Sequence, residues 1–300
     1  MTNLRTVFHI TLAIICSLAI SILFKLFDRY DINTYQAIVI NYCVCVITGC
    51  IALGAIPFEV AHLQADWLPL ILMLGILFIA GFNFVGLTVR YFGIAISSVA
   101  QRMSIGLSVP FAIWYYQEPY TTIKLVGIAL ALLSVILINI PNQKKEMAAT
   151  SEEASVAPNP TSKLDRWSFL FPIGAFLISV FIEIILQYLH EVHHLEPAVE
   201  SIILFAVAGF LGIGGLFIFR DPIRWRNIVG GIVLGIPNYF SIYFLLKGVA
   251  ELGGAVAYSL NNIVVVALSA VIGYTVFKER LSLYNWMGIT VALIAIFLIT

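Results

Sequence analysis

The sequence predicts an all-α integral membrane protein with ten transmembrane helices in two inverted five-helix repeats. Three observations predict it. The 300 residues are 61% hydrophobic and 11% charged, with mean hydropathy +1.01; a soluble domain is about 45–50% apolar and about 25% charged. The apolar residues fall into runs of membrane-crossing length separated by polar turns. The second half also repeats the pattern of the first. With Glu118 laid over Glu279, Ser98 falls on Ser259, Leu107 on Leu268 and Ser108 on Ser269. Gly127 and Ile128 fall on Gly288 and Ile289, Ala131 and Leu132 on Ala292 and Leu293, and Leu137 and Ile138 on Leu298 and Ile299. Roughly ten identities over about forty-five positions point to an internal duplication.

A span needs about twenty apolar residues. The first repeat, residues 1–140, holds spans at 6–26, 34–56, 67–88, 94–116 and 121–140. The second, residues 167–300, holds spans at 167–190, 197–219, 225–246, 253–277 and 283–300. Run 7–24 is longer than a signal-peptide core and is followed by Lys25, not by a small-residue cleavage site, so it reads as a retained helix. Backbone groups in lipid must satisfy one another, and these runs are too long for barrel strands, which leaves helices. Between the repeats, residues 141–166 carry Lys144, Lys145, Glu152, Glu153, Pro158 and Pro160, the composition of a flexible, solvated linker. Trp67, Trp114, Trp167, Trp225 and Trp286 lie near span ends, as interface anchors do. Cys16, Cys43, Cys45 and Cys50 lie inside apolar runs. Cys43 and Cys45, two apart, would point to different helix faces, so they read as core residues and not as a disulfide or metal pair.

An odd number of helices per half inverts one repeat relative to the other. Glu118 and Glu279 then lie near opposite membrane faces. Lys25, Arg29, Arg90, Arg224, Arg226 and Lys278 fall with the linker on one face, and Arg5, Lys124 and Lys247 on the other. This bias makes the linker face cytoplasmic and puts both termini outside. Net charge is zero and pI about 7.0, with no basic stripe, so no nucleic-acid partner is expected. No Walker loop, dinucleotide Gly motif or nucleophile elbow occurs, so neither a cofactor nor ATP-driven transport by this chain alone is expected. No ring of like charges or filter sequence favours a channel.

In each half a Ser-bearing helix of small residues is followed by Glu118-Pro119 or Glu279-Arg280, and then by a helix carrying Gly127 or Gly288. This resembles the drug/metabolite transporter superfamily, and within it the EamA-type ten-helix carriers, along nearly the whole chain outside the linker. Those carriers have a Gly-Glu-Arg-like turn after the fourth helix of each half. Here the turns read Tyr116-Gln117-Glu118-Pro119 and Phe277-Lys278-Glu279-Arg280, without the preceding Gly in either copy and without the Arg in the first. The resemblance implies a plasma-membrane carrier of a small polar metabolite (an amino acid, sugar or drug-like solute), working by secondary transport or uniport. It also implies cytoplasmic termini, the reverse of the charge bias. No obligate protein partner is evident, and a monomer is expected.

Polar groups near mid-membrane are site candidates because they are costly there. Gln101 falls on Asn262 and Ala100 on Asn261, so equivalent helices bring a side-chain amide to the same depth. Amides both donate and accept, which suits a polar solute; helix–helix hydrogen bonding is the plainer role. Arg102 lies roughly 6 Å from the midplane at helical rise, where its guanidinium fork suits a carboxylate or phosphate. A snorkelling or permanently paired Arg is the alternative. Glu183, on one face with Ser179 and Gln187, is placed roughly 12 Å from Arg102 along the normal; it suits a pore-lining, paired or proton-exchanging acid. Asn83, Asn238 and Tyr239 lie on the third helices of the halves. Gly81, Gly86, Gly235 and Pro237 beside them mark either a break or a close helix approach. Asn41 and Tyr258 are weaker candidates. Glu118 and Glu279 read as structural, capping or pairing at helix ends.

One motif supports another class. His190-Glu191-Val192-His193-His194 fits H-E-x-x-H, whose two His would hold zinc on one helix face with the Glu as base, as in an intramembrane metalloprotease. It sits at a span end, matches the ligand-free turn 25–33 in the repeat, and has no third ligand nearby, so a solvated turn and no metal is the expectation.

Overall fold

A computed structural model describes residues 2–58, 64–117, 121–140, 168–193, 197–219, 222–252 and 254–299. Among them are helices and no strand. In chain order these are α1 (Thr2–Arg29), α2 (Thr34–Leu53), α3 (Leu68–Phe92), α4 (Ile94–Arg102), α5 (Ile105–Tyr115) and α6 (Thr122–Ile138). Then come α7 (Leu170–His193), α8 (Pro197–Phe219), α9 (Trp225–Leu252), α10 (Gly254–Thr275) and α11 (Leu283–Ile299). Counting α4 and α5 as one broken helix, the described residues hold ten helices. The linker, residues 141–166, and Glu118 lie outside the described residues.

Six helices are long and apolar enough to cross a membrane, in α1, α2, α3, α7, α8 and α9. The bundle also turns large apolar side chains outward: Phe210 and Phe217 on α8 are 77% and 76% exposed, and Phe297 on α11 is 74% exposed. A soluble monomer rarely exposes such a surface. Length and surface together are compatible with a multi-pass membrane protein.

Helix ends follow local chemistry. Asn33 caps α2 by accepting the Gln36 N–H at 3.1 Å, and Gly54, at φ 70°, ends it in the left-handed region. Thr121 caps α6 through the Lys124 N–H at 3.2 Å. Ser282 and Asn285 cap one another at the start of α11.

The helices of the first half pack largely on those of the second: α1 on α9, α3 on α7, α2 on α8 and α9, α4 on α10, and α6 on α11. Glycines set several of these approaches. A Cβ on Gly231 or Gly235, one turn apart on α9, would come within 2.5 Å of Ile40 or 2.6 Å of Val44 on α2. The helices α3 and α9 run unbroken through Gly81, Gly86, Gly235 and Pro237. Of the two roles open to these residues, close packing is the one at Gly235.

The α6–α11 contact is reciprocal. Gly127 faces Ile299 and Leu298, and Gly288 faces Ile138 and Leu137, so the start of each helix meets the end of the other. The two run antiparallel. Each has 17 residues, and the offset that carries Glu118 onto Glu279 carries Thr122–Ile138 onto Leu283–Ile299. The same offset carries Gln117 onto Lys278, which both hold the left-handed backbone conformation, at φ 56° and 51°.

The expected single span 94–116 is broken at Met103 and Ser104. There the ladder tightens to three-residue bonds, from Ser104 N–H to Gln101 O at 3.4 Å and from Gly106 N–H to Met103 O at 2.9 Å. The Ser104 hydroxyl sits 2.6 Å from Gln101 O. Downstream, Pro110 has no N–H for the Gly106 carbonyl. In the other half, α10 continues unbroken through the corresponding Val264 and Val265.

Candidate functional site

The short helix α4 organises the site, and its two ends differ. At the N-terminal end the chain leaves α3 through Gly93, at φ +96° and ψ 173°, a conformation close to glycine-only. Glu279, from the turn after α10, enters this corner. Its Oε1 accepts the Ile94 N–H at 2.9 Å and lies 3.4 Å from Lys25 Nζ on α1. A Cβ on Gly93 or on Gly273 would come within 2.4 Å of that carboxylate, so only glycine leaves it room. An anion at a helix N-terminus also interacts favourably with the helix dipole. Glu279 thus caps and pairs at once, joining α1, α4 and α10.

At the C-terminal end, Arg102 donates through NH1 to Asn262 Oδ1 on α10 at 2.8 Å. Gln101 and Arg102 both line a cavity between the halves with about 110 Å³ open to the centres of water-sized molecules. A single buried water needs about 10–15 Å³ on that measure, so several fit. Polar walls come from Ser17 and Ser21 on α1 and Ser241 on α9; Phe24 and Phe82 supply apolar wall. Among the described residues Gln101 Nε2 bonds to Ser97, at 3.2 Å to the carbonyl and 3.4 Å to the hydroxyl. In that apolar wall, Phe24 packs edge-on to Phe27 and Phe82, with ring centroids 5.7 and 5.9 Å apart.

Glu183, on α7, faces Ser104 at the break and Ser108 on α5. Ser108 donates to its Oε2 at 2.7 Å, and the Ser104 hydroxyl meets its Oε1. Arg102 and Glu183 act on one another electrostatically, but no N···O contact within 4.0 Å joins them. The hydroxyls of Ser104 and Ser108 take the place of the ion pair weighed from the sequence. These two serines are the site-region residues that sequence reasoning missed. The available signal was two hydroxyls four apart on one helix face, opposite the acid of the other half.

The remaining candidates are placed as follows. Asn261, 1% exposed, lies one turn from Val265 of the cavity wall, and its Oδ1 has no partner among the described residues. Asn238 donates to Asn41 Oδ1 at 3.1 Å and approaches Cys45 Sγ at 3.5 Å, forming a buried seam between α2 and α9 apart from the cavity. Tyr239 packs toward Gly49 and stacks on Tyr243 with centroids 6.1 Å apart. Asn83 turns back on its own helix, donating to Ile79 O at 2.7 Å. So Gln101, Arg102 and Asn262 come together at the cavity, with Glu183 and Asn261 near it; Asn83, Asn238 and Tyr239 are held elsewhere. The Tyr258 side chain lies outside the described residues.

The H-E-x-x-H segment falls at the end of α7. His193 packs edge-on to Tyr188 at 5.9 Å, while His194 and the side chains of His190 and Glu191 lie outside the described residues. Among the described residues no three His, Cys, Asp or Glu side chains cluster as metal ligands.

No known protein-family profile matches the chain. A solved crystal structure aligns over 96% of both chains with TM-score 0.57 and 12% identity, a likeness of fold alone. Along nearly its whole length, 298 residues and 96% of each chain, this protein is 28% identical to an uncharacterized protein of Haemophilus influenzae.

Proposed function

We propose that this protein is a ten-span carrier that takes a small polar solute into the cavity beside Arg102 and moves it across the plasma membrane by alternating access. The observation that carries the reading is a cavity between the halves with room for several waters, lined by Arg102, whose hydrogen-bond partner is a neutral amide. A charge is held in apolar surroundings only at a cost, and where no counter-charge is bonded to it the usual reason is function. A broken helix ending at that cavity is the usual way a carrier frees polar groups at mid-membrane.

The reciprocal antiparallel packing of α6 on α11, and the matched left-handed turns at Gln117 and Lys278, support two inverted repeats. In that arrangement the site lies where the repeats meet. The lysine and arginine bias favours the linker face as cytoplasmic. The ion pair Lys25–Glu279 and those of Arg224 and Arg226 with Asp31 join the halves on that face, consistent with a conformation closed there. No observation favours the metalloprotease.

The test is uptake by proteoliposomes. The purified protein should accumulate at least one solute from a mixed pool of labelled small metabolites above empty liposomes, and Arg102→Gln should abolish that uptake at unchanged melting temperature. Failure with every class of solute, or a variant as active as the parent, overturns the reading.

A further inference from the structure

We propose that the solute is a small organic acid without an amino group, bound by its carboxylate to the free edge of the Arg102 guanidinium. The proposal rests on the carrier reading and narrows it.

A guanidinium presents five N–H donors in a planar fork. Among the described residues Arg102 engages one hydrogen-bond partner, Asn262 Oδ1. That acceptor is a neutral amide, so it orients the fork without cancelling the charge. Glu183 is the acid that acts on Arg102, yet both of its oxygens face serine hydroxyls. Glu279 is held by Lys25 and Ile94 at the other end of α4. The protein therefore leaves most of the fork without a partner, at the edge of space with room for several waters. A carboxylate matches that edge with two parallel charge-assisted bonds.

The rest of the wall narrows the class. Among the described residues no acidic side chain lines the cavity, and Glu183 is engaged by Ser104 and Ser108, so an ammonium group would find no bonded counter-charge; a zwitterionic amino acid would carry an unpaired cation into apolar surroundings. Ser241 donates to Asn238 O at 2.8 Å and Ser21 weakly to Ser17 O at 3.5 Å, which leaves hydroxyl lone pairs for a hydroxyl on the ligand. Phe24 and Phe82 cover a short apolar body. The small cavity favours a short-chain acid.

The experiment is a melting series on the purified full-length protein with three near-isosteres: lactate, lactamide and alanine. A bound solute raises apparent stability in proportion to the logarithm of its concentration over Kd. Lactate should raise the melting temperature across the millimolar range, and lactamide and alanine should not. Arg102→Gln should lose the shift, and Arg102→Lys should keep a weaker one. If Arg102→Gln does not fold, the three ligands on the parent protein still decide. An equal shift with lactamide or alanine overturns the proposal. So does a lactate shift that survives Arg102→Gln, or the absence of any lactate shift. The double variant Arg102→Gln/Glu183→Gln separates a purely structural charge pair: recovery of the lactate shift there also overturns the proposal. Proteoliposomes distinguish the two levels. Arg102-dependent lactate binding without uptake removes the carrier and keeps the acid site. Uptake of neutral solutes that is indifferent to Arg102 keeps the carrier and removes the acid.

Discussion

The two ends of α4 hold opposite charges in opposite circumstances. Glu279 sits at the N-terminus with a bonded counter-charge, Lys25, and two glycines that leave it room. Arg102 sits in the last turn with a neutral amide partner and an open cavity. Both signs agree with the helix dipole, so the dipole does not separate them. What separates them is who supplies the counter-charge. At Glu279 the protein does, and the charge is part of the scaffold. At Arg102 Glu183 acts only from a distance, no carboxylate is bonded, and most of the fork is left for a ligand.

That contrast can be broken by stability measurements, and the largest effect should come from the scaffold end. Glu279→Gln leaves Lys25, a quarter exposed, without its acid. Breaking a pair in this way costs about 3 kcal/mol, the lower end of the range for buried pairs because Lys25 is partly solvated. Denaturation in detergent measures it, and a variant as stable as the parent would dissolve the contrast. Gly93→Ala forces a side chain into a near-glycine-only conformation and against the Glu279 carboxylate, for a loss of about 2–3 kcal/mol by the same measurement. Ser108→Ala removes one donor from Glu183 and should cost about 1–2 kcal/mol; no loss would mean that the acid has another partner. Arg102→Gln should be the mildest for folding, within about 1 kcal/mol of the parent, because the lost hydrogen bond to Asn262 and the lost attraction to Glu183 are offset by no longer holding that charge in apolar surroundings. The same variant should be the most damaging to uptake. A large loss of stability there, with uptake intact, would put Arg102 in the scaffold beside Glu279.

Much of the fold is legible in the chain because hydropathy is a local property. The apolar runs, the pairing of Gly127 with Gly288 and the role of Glu279 at a helix end can all be read by eye. The break at Met103 and Ser104 cannot. Neither residue is a helix breaker, and Gly106 and Pro110, which weaken the 94–116 run, lie downstream of the break. Asn238 illustrates the opposite case. Its place on the third helix of its half, beside Gly235 and Pro237, suggests a solute site, but α9 turns it toward Asn41 and Cys45 on α2, where it completes a buried seam.

From the sequence alone came an all-helical chain rich in membrane-length segments, the matching pattern of its two halves and the shortlist of polar residues buried in apolar runs. Each depends on residues close in the chain, or on a pattern copied from one half to the other. Tertiary structure alone decided which of those polar groups are consumed by a neighbour and which face open space. Asn262 finds Arg102 across the crossing of α4 and α10, and Ser104 and Ser108 find Glu183 on α7. Hydrogen bonds are short and directional, so a partner far away in the chain is chosen only when two helix faces meet.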